Sequence, residues 1–473
     1  MELEGQTNWA PRLSRGQVPP WLLLGSIAAV CLGLSVALAA APLLVGAALV
    51  VGVAVFIVCF ISAEASLYLL IFSMLLSPEI GMGGLSGEAT TTSRGVTIRT
   101  EDLLLVVMCF AWLVRTAVHK ELGLVRRTPL NRPIASYAVA CIFATGMGLT
   151  TGRVEGMTGL FFVLKYIEYF VVYFVVSNNL QTRAQVQRFT AALLVTAAIV
   201  ALVALAQIPT GARVSAPFEG DRGEPNTLGG YLLFVGSVAA GLLLNAPQRR
   251  TRRLLAGLIA FLAIPFFATL SRGSYLGLPF AYLSLVALTR RRRLAMLAVL
   301  LILVALGAAA MPQVVRDRIL YTFEQQGSLQ ARVQVGNVRL DTSTSARLTS
   351  WQKALEDVAD SPVWGFGVTG YGFLDAQYPR ILVETGLIGA ITFALLVGAV
   401  GREGLRVYRH TADPLYRGLS MGLLAGLAGL LVHGVGANTF IIVRIMEPFW
   451  LTVGLVVGAG KIESETTPER PVG

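Results

Sequence analysis

One polar stretch, residues 345–384, carries the side chains whose types and spacing best suit chemistry. Arg347 falls in the first turn of a predicted helix, where unpaired N–H groups and the helix dipole favour an anion such as phosphate. Because a guanidinium group offers parallel N–H donors, an arginine in this turn suits a diphosphate group. The simpler alternative is a solvated arginine on the helix surface.

Four polar residues follow near the end of this stretch: Asp375, Tyr378, Arg380 and Glu384. If the segment is helical, a spacing of three residues brings Tyr378 near Asp375. Glu384 then lies at the mouth of the next apolar segment, where a carboxylate near arginines can take a proton from an acceptor hydroxyl group. Asp375, Tyr378 and Glu384 are therefore candidate catalytic residues, and Arg380 is a candidate anion-binding residue. The alternative is a set of ion pairs at a membrane interface.

Between these two groups lies the glycine-rich sequence GFGVTGYG, which begins at Gly365. It follows a helix end rather than a strand, so it does not match a dinucleotide-binding motif. It is either a turn anchored by aromatic residues such as Tyr371, or a segment whose glycines let the backbone approach a ligand closely. Trp351, on the apolar face of the preceding predicted helix, favours a helix that lies flat at the membrane interface.

The composition of the whole chain is that of a membrane protein that crosses the bilayer many times. Of its 473 residues, 55% are hydrophobic and only 14% are charged, and the mean hydropathy is +0.68. The net charge of +11 does not indicate nucleic-acid binding, because Lys and Arg fall in short clusters between apolar runs. The four cysteines lie inside apolar runs without metal-ligand spacing, so they predict no metal site.

Fourteen segments are apolar enough to be spans, since a spanning helix needs about 20 apolar residues. They are Trp21–Ala41, Leu43–Ile61, Glu64–Pro78, Glu101–Val118, Pro133–Thr150, Met157–Ser177, Val186–Ile208, Pro225–Asn245, Leu254–Leu270, Gly273–Thr289, Leu294–Met311, Leu382–Gly401, Leu415–Gly434 and Asn438–Gly460. The first two form one re-entrant pair or two spans. The predicted fold is an all-α polytopic membrane protein with about 12–14 transmembrane helices and one large extracytoplasmic helical loop.

Basic residues fall in alternate connections, which predicts cytoplasmic N- and C-termini and an outer position for the long polar loop. The clusters at 249–253 and 290–293 lie on the same side, so the run between them must cross twice. Its polar break begins at Ser271, which places Arg272 at the outer tip of a tight hairpin. The predicted divisions are an N-terminal bundle (1–311), a periplasmic catalytic loop (312–381), C-terminal helices (382–461) and a cytoplasmic tail (462–473).

The order of these motifs resembles the O-antigen ligase and Wzy-type polymerase superfamily. The motifs are SRGSYLGL from Ser271, R-x-x-x-W from Arg347, P-x-x-G-x-G from Pro362, and the segment from Tyr378 to ETGLIG. The resemblance covers about residues 219–400 and implies a GT-C-like fold. It also implies glycan transfer from undecaprenyl diphosphate at the outer face of the bacterial inner membrane, without a metal or other cofactor.

By this resemblance, Arg272 and Arg347 match arginines that bind the donor diphosphate. The candidate glycan or loop contacts are Arg222, Asn226, Trp351 and Tyr371. Ligases usually carry a His-Asn pair where this chain has Asp375 and Ala376. The departure favours a polymerase of exopolysaccharide or O-antigen repeat units over a ligase that attaches polymer to lipid A–core.

A flippase for lipid-linked sugars is the alternative from another class, and it predicts charged residues along several spans. The sequence has two such pairs within spans, Lys165 with Glu168 and Arg444 with Glu447. Each pair can neutralise itself, so a structural role is the simpler interpretation. The expected partners are an undecaprenyl-diphosphate-linked oligosaccharide, membrane lipids, a polysaccharide flippase and a chain-length regulator, with no nucleic acid.

Overall fold

The structure is a computed structural model of the chain. It describes residues 43–77, 79–80, 98–119, 127–211, 213–218, 223–289, 293–310, 334–335, 338–339, 342–372 and 374–466. Four parts of the predictions lie outside these residues: Arg222, the first predicted span, most of residues 312–341, and the tail beyond residue 466.

The described part of the chain contains fourteen α-helices. They are α1 (Leu43–Ile61), α2 (Ala63–Leu76), α3 (Thr100–His119), α4 (Asn131–Thr150), α5 (Gly156–Asn179), α6 (Arg183–Gln207), α7 (Pro225–Asn245), α8 (Arg249–Ala268), α9 (Arg272–Leu288), α10 (Arg293–Ala310), α11 (Thr342–Asp357), α12 (Gln377–His410), α13 (Pro414–His433) and α14 (Val443–Thr466). The short antiparallel ladders are β1 (Glu79–Ile80) with β2 (Ile98–Arg99), and β3 (Gln334–Val335) with β4 (Val338–Arg339). Single 3-10 turns span Ile208–Thr210, Val358–Asp360 and Thr439–Ile441.

Helix α1 lies largely in a first compact unit, Met1–Val58, of which residues 43–58 are described. Its sequence is apolar throughout, as a membrane span requires. Helices α2 to α14 belong to the second unit, Cys59–Gly473, which also holds the candidate site.

Eight helices of the second unit are long and apolar enough to cross a membrane: α4, α5, α6 with its following turn, α7, α8, α12, α13 and α14. Every predicted span from Leu43 onward coincides with a helix, which confirms the all-α polytopic fold. Helix α12 begins at Gln377 rather than at Leu382. Helix α14 begins only at Val443, because residues 434–442 form a turn that contains a short 3-10 segment.

Helices α7 and α13 share the most extensive helix–helix contact of the described elements. Their backbones touch at glycines. A Cβ atom at Gly241 would lie 2.4 Å from the Gly418 carbonyl oxygen, and one at Gly422 would lie 2.5 Å from the Cα atom of Val238. Small residues permit such close packing, which drives helix association in lipid where the hydrophobic effect between helices is absent. Helix α9 packs on both helices, so the hairpin tip that carries Arg272 stands on a tightly packed core.

We expect Gly422→Ala to lower the melting temperature of the purified protein, because overpacking at a close contact costs about 1–3 kcal/mol. The matched control is Gly236→Ala in α7, where an added Cβ atom meets nothing within 4 Å. Thermal unfolding of both variants in detergent is the measurement. Equal melting temperatures would contradict a tight α7–α13 crossing.

The connections of the second unit gather at two ends of the bundle. At one end, Arg183 at the start of α6 forms an ion pair with Asp413 before α13. The same end carries exposed arginines in residues 249–253 and 402–409. We name it the arginine-rich end.

The other end, which we name the loop end, includes the connections 269–271 and 434–442 and the described residues of 208–224 and 361–376. The Gln377 amide donates to the Gly434 carbonyl over 3.1 Å, and Arg213 Nε donates to the Thr269 carbonyl over 3.1 Å. Connections that the predicted alternation places on one side are therefore hydrogen-bonded to each other.

Candidate active site

Helix α12 bends at Gly386, and the glycine-rich turn fits into the bend. Gly386 has φ 64° and ψ −167°, a conformation that residues with a Cβ atom disfavour. A Cβ atom there would lie 2.3 Å from the Val363 carbonyl oxygen, and one at Gly365 would lie 2.6 Å from the Glu384 carbonyl oxygen. The glycines let backbone meet backbone, so of the two predicted alternatives the structure favours a packing turn.

Glu384 lies just before the bend and joins three elements, although it is only 3% exposed. Its Oε1 atom lies 3.0 Å from Arg380 Nη2 and accepts a hydrogen bond from the Thr369 amide over 3.3 Å. The Tyr166 hydroxyl of α5 donates to Oε2 over 3.4 Å. Arg380 is also buried, and its Nε and Nη1 atoms have no hydrogen-bond partner among the described residues. Glu384 therefore anchors the glycine-rich turn to α12 and α5.

Replacement of Glu384 by Gln should destabilise the loop end, because it leaves the Arg380 charge buried without its carboxylate. Loss of one partner of a buried ion pair costs about 3–5 kcal/mol. The control is Glu356→Gln, since Glu356 is exposed on α11. Melting temperature in detergent and limited proteolysis in membranes report the effect. A Glu384→Gln protein as stable and protease-resistant as the wild type would rule out this anchoring role.

Arg347 and Asp375 form the more accessible ion pair of the loop end. Arg347 Nη2 lies 2.7 Å from Asp375 Oδ2, and each side chain is 29% exposed. Helix α11 begins at Thr342, so Arg347 lies in the second turn and not in the first. The helix dipole therefore acts on this arginine less than the sequence analysis expected, since the effect fades beyond the first turn.

Tyr378 contacts neither the Arg347–Asp375 pair nor the Arg380–Glu384 pair through its hydroxyl group, which bonds to α13 instead. Its hydroxyl donates to the Leu431 carbonyl of α13, and the residue is 37% exposed. Asp375 precedes α12, whose first residue is Gln377, so Asp375 and Tyr378 do not share the predicted helix face. Of the three candidate catalytic residues, Asp375 thus has the accessible carboxylate.

Arg272 begins α9 at the tip of the α8–α9 hairpin, as predicted. Ser271 caps this helix, and its hydroxyl donates to Asn226 Oδ1 over 2.8 Å. Leu270 has φ +50°, a conformation that costs about 1–3 kcal/mol in a residue with a side chain. Arg213 supports it, since Nη2 donates to the Leu270 carbonyl over 3.2 Å. Asn226, predicted as a glycan or loop contact, thus contacts the tip that carries Arg272.

The turn after α13 connects this tip to the start of α12. A Cβ atom at Gly273 would lie 3.4 Å from the ring of His433. Gly434, which follows His433, accepts a hydrogen bond from the Gln377 amide through its carbonyl oxygen. Arg272 and the accessible ion pair before α12 therefore flank one turn, although they are far apart in sequence.

Trp351 lies on α11 itself, and Tyr371 lies in the glycine-rich turn. They cover a small cluster of buried residues: Ala354, Leu374 and Val383. The Tyr371 hydroxyl donates to Asp357 Oδ2 over 2.7 Å, and burial together with this bond raises the pKa of Tyr371 to about 12. Both aromatic residues hold α11 in place, and with it Arg347.

The charged residues within spans tie elements together. Lys165 forms ion pairs with Asp102 of α3 and, over 3.4 Å, with Glu168. Arg444 is fully buried, and its Nη1 atom donates to the Pro217 carbonyl over 2.7 Å. These contacts are those of structural residues. Within the described ranges, no group of three His, Cys, Asp or Glu side chains is placed to hold a metal ion.

Three positioning residues were not singled out in the sequence: Tyr166, Arg213 and Thr145. The Thr145 hydroxyl accepts a hydrogen bond from the Val368 amide over 3.2 Å, on the glycine-rich turn. No local pattern marks such residues, because their partners lie far away in sequence. Arg213 had one signal, its position in an outer connection of mixed charge.

Comparison with known families finds one similarity, and it covers part of this site. A family model described as O-antigen ligase matches residues 257–394. The matched segment holds the hairpin tip, α11, the glycine-rich turn and the bend of α12. The match confirms the resemblance that the motifs indicated. No curated protein matches the chain.

Proposed function

We propose that this integral membrane protein is a glycosyltransferase that uses undecaprenyl-diphosphate donors. The match of residues 257–394 to the O-antigen ligase family model supports this proposal. One observation carries the proposal: the accessible Arg347–Asp375 pair flanks the same turn as Arg272. This arrangement combines two ligands for a diphosphate group with a carboxylate that can act as a base.

The loop end is proposed to face the periplasm, and the arginine-rich end the cytoplasm. The exposed arginines in residues 249–253 and 402–409 support this orientation, because basic residues are enriched on the cytoplasmic side. In this orientation the protein lies in the bacterial inner membrane with both termini in the cytoplasm. The lipid tail of the donor then remains in the bilayer beside the spans.

Arg272 and Arg347 are proposed to bind the donor diphosphate. As the acceptor oxygen attacks the anomeric carbon, the bond from that carbon to the phosphate oxygen breaks, and negative charge grows on the leaving diphosphate. Guanidinium groups held in fixed positions stabilise this charge without reorganisation during the reaction. The support that Arg213 supplies to the hairpin tip favours such a fixed position for Arg272.

Asp375 is proposed to take the proton of the acceptor hydroxyl group. Glu384 is less suited, because it is 3% exposed and already has three partners. In the structure Arg347 neutralises Asp375. A donor diphosphate that binds Arg347 competes for the guanidinium group and frees the carboxylate. Donor binding thereby activates the base before the acceptor reacts.

We favour polymerisation of repeat units over ligation to lipid A–core. The two positions that usually hold His and Asn in ligases are Asp375 and Ala376 in this chain, and Ala376 is fully buried. A polymerase of this kind requires a flippase that delivers lipid-linked repeat units, and it works with a chain-length regulator. Both are proposed partners.

Arg272→Ala and Arg347→Ala should each reduce polymer formation by at least about a hundredfold, the loss typical of a removed transition-state donor. The assay is polymer formation from purified protein and donor lipid in liposomes, with protein amounts matched. Lys353→Ala is the control, because Lys353 is an exposed cation on the same helix as Arg347. Wild-type polymer yields in both arginine variants would refute the diphosphate assignment.

Asp375→Asn should lower the rate by about 10²–10⁴, the contribution of a general base, without loss of donor binding. Asp375→His should retain part of the activity, because an imidazole can also accept the proton. The measurement is initial rate against pH for each variant. An Asp375→Asn variant that keeps the wild-type rate while it binds donor would show that Asp375 is not the base.

Analysis of surface polysaccharide from a deletion strain separates the polymerase from the ligase. Loss of long chains with single repeats retained supports polymerisation, whereas naked lipid A–core with accumulated lipid-linked polymer supports ligation. In the liposome assay, donor lipid that moves between leaflets unchanged would support a flippase instead.

A further inference from the structure

A cavity of about 430 Å³ lies at the arginine-rich end, apart from the candidate active site. It opens between α6, α7, α8 and the start of α13. Its inner wall is apolar, with Leu194, Leu242 and Leu255. Its rim is polar, with the exposed residues Gln187 and Gln248. The proposed reaction does not involve this cavity, and the arginines proposed to bind the donor diphosphate, Arg272 and Arg347, do not line it.

Exposed arginines lie next to the rim, at the start of α8, although the lining residues of this helix are Thr251 and Leu255. Arg183 lines the cavity, but Asp413 balances it through an ion pair and a second hydrogen bond of 3.3 Å. The first five residues of α8, directly after Gln248, include four arginines that are all exposed: Arg249, Arg250, Arg252 and Arg253. An apolar interior with arginines beside its rim matches a ligand that has a hydrocarbon chain and an anionic head.

The position of the cavity agrees with such a ligand. Its wall includes α6, α7 and α8, which are membrane spans, and its rim coincides with their ends. Basic pockets between spanning helices at the cytoplasmic side suit the head groups of anionic lipids. A hydrocarbon chain in the cavity would cover Leu242 and Leu255, and the head group would remain at the level of the arginines.

We propose that this cavity binds one acyl chain of an anionic phospholipid, whose phosphate contacts the arginines at the start of α8. The bound lipid joins α6, α8 and α13 around α7. It is a structural ligand at the arginine-rich end and is independent of the glycan donor. Retention of such a lipid therefore requires no catalytic activity.

The test uses the full-length protein in detergent, with dioleoyl-phosphatidylglycerol and dioleoyl-phosphatidylcholine added in equal amounts. Native mass spectrometry measures which lipid stays bound. Ala191→Trp fills the cavity from its exposed edge, since Ala191 lines it. The matched control is Leu202→Trp on the same helix, at a residue that is 62% exposed and outside the cavity lining.

The wild type and Leu202→Trp should retain one phosphatidylglycerol at least about tenfold more often than phosphatidylcholine, and Ala191→Trp should lose this preference. Arg252→Gln should weaken it severalfold, whereas Arg402→Gln, an exposed arginine of the same end, should not. Equal retention of the two lipids by the wild type would overturn the proposal. An unchanged preference in Ala191→Trp, or displacement of phosphatidylglycerol by a polyprenyl phosphate at equal concentration, would also overturn it.

Discussion

The loop end depends on the buried carboxylate of Glu384. Removal of a charge from water is expensive, so a buried carboxylate requires partners that are fixed in place. Here those partners come from three parts of the chain: Arg380 one helical turn earlier, Tyr166 on α5, and the Thr369 amide in the glycine-rich turn. Satisfaction of one charge thus fixes the relative positions of two spans and a loop. Helix α12 bends at Gly386, two residues after Glu384, where the glycine-rich turn packs against it.

The Arg380–Glu384 and Arg347–Asp375 ion pairs of the loop end differ in burial, and this difference separates their roles. The side chains of Arg380 and Glu384 are 6% and 4% exposed, respectively. The Arg380 guanidinium group therefore has little access to a ligand in this state. The Arg347–Asp375 pair is 29% exposed on both sides, so solvent weakens it and an incoming anion can compete for its arginine. The first pair suits a permanent anchor, and the second suits an exchange of partners during a reaction.

The bundle combines a tightly packed core with a strained end. Glycines bring the backbones of α7 and α13 into contact, and α9 rests on both. Among the described residues, those other than glycine with positive φ are Phe218, Leu270 and Thr369, and all three lie in connections of the loop end. Strained backbone persists only where its surroundings over-determine it, and it concentrates at functional sites. The packed core supplies such surroundings for the tip that presents Arg272.

The sequence alone determined the spans and the hairpin tip. Lipid requires long apolar helices whose backbone groups are satisfied internally, and the basic clusters on either side of Ser271 force two crossings. The tertiary structure decided which side chains meet. Glu384 and Tyr166 are 218 residues apart, and Arg347 meets Asp375 only because α11 packs beside the start of α12. Such pairings follow from packing and from the bend at Gly386, and neither leaves a periodic signal in the sequence.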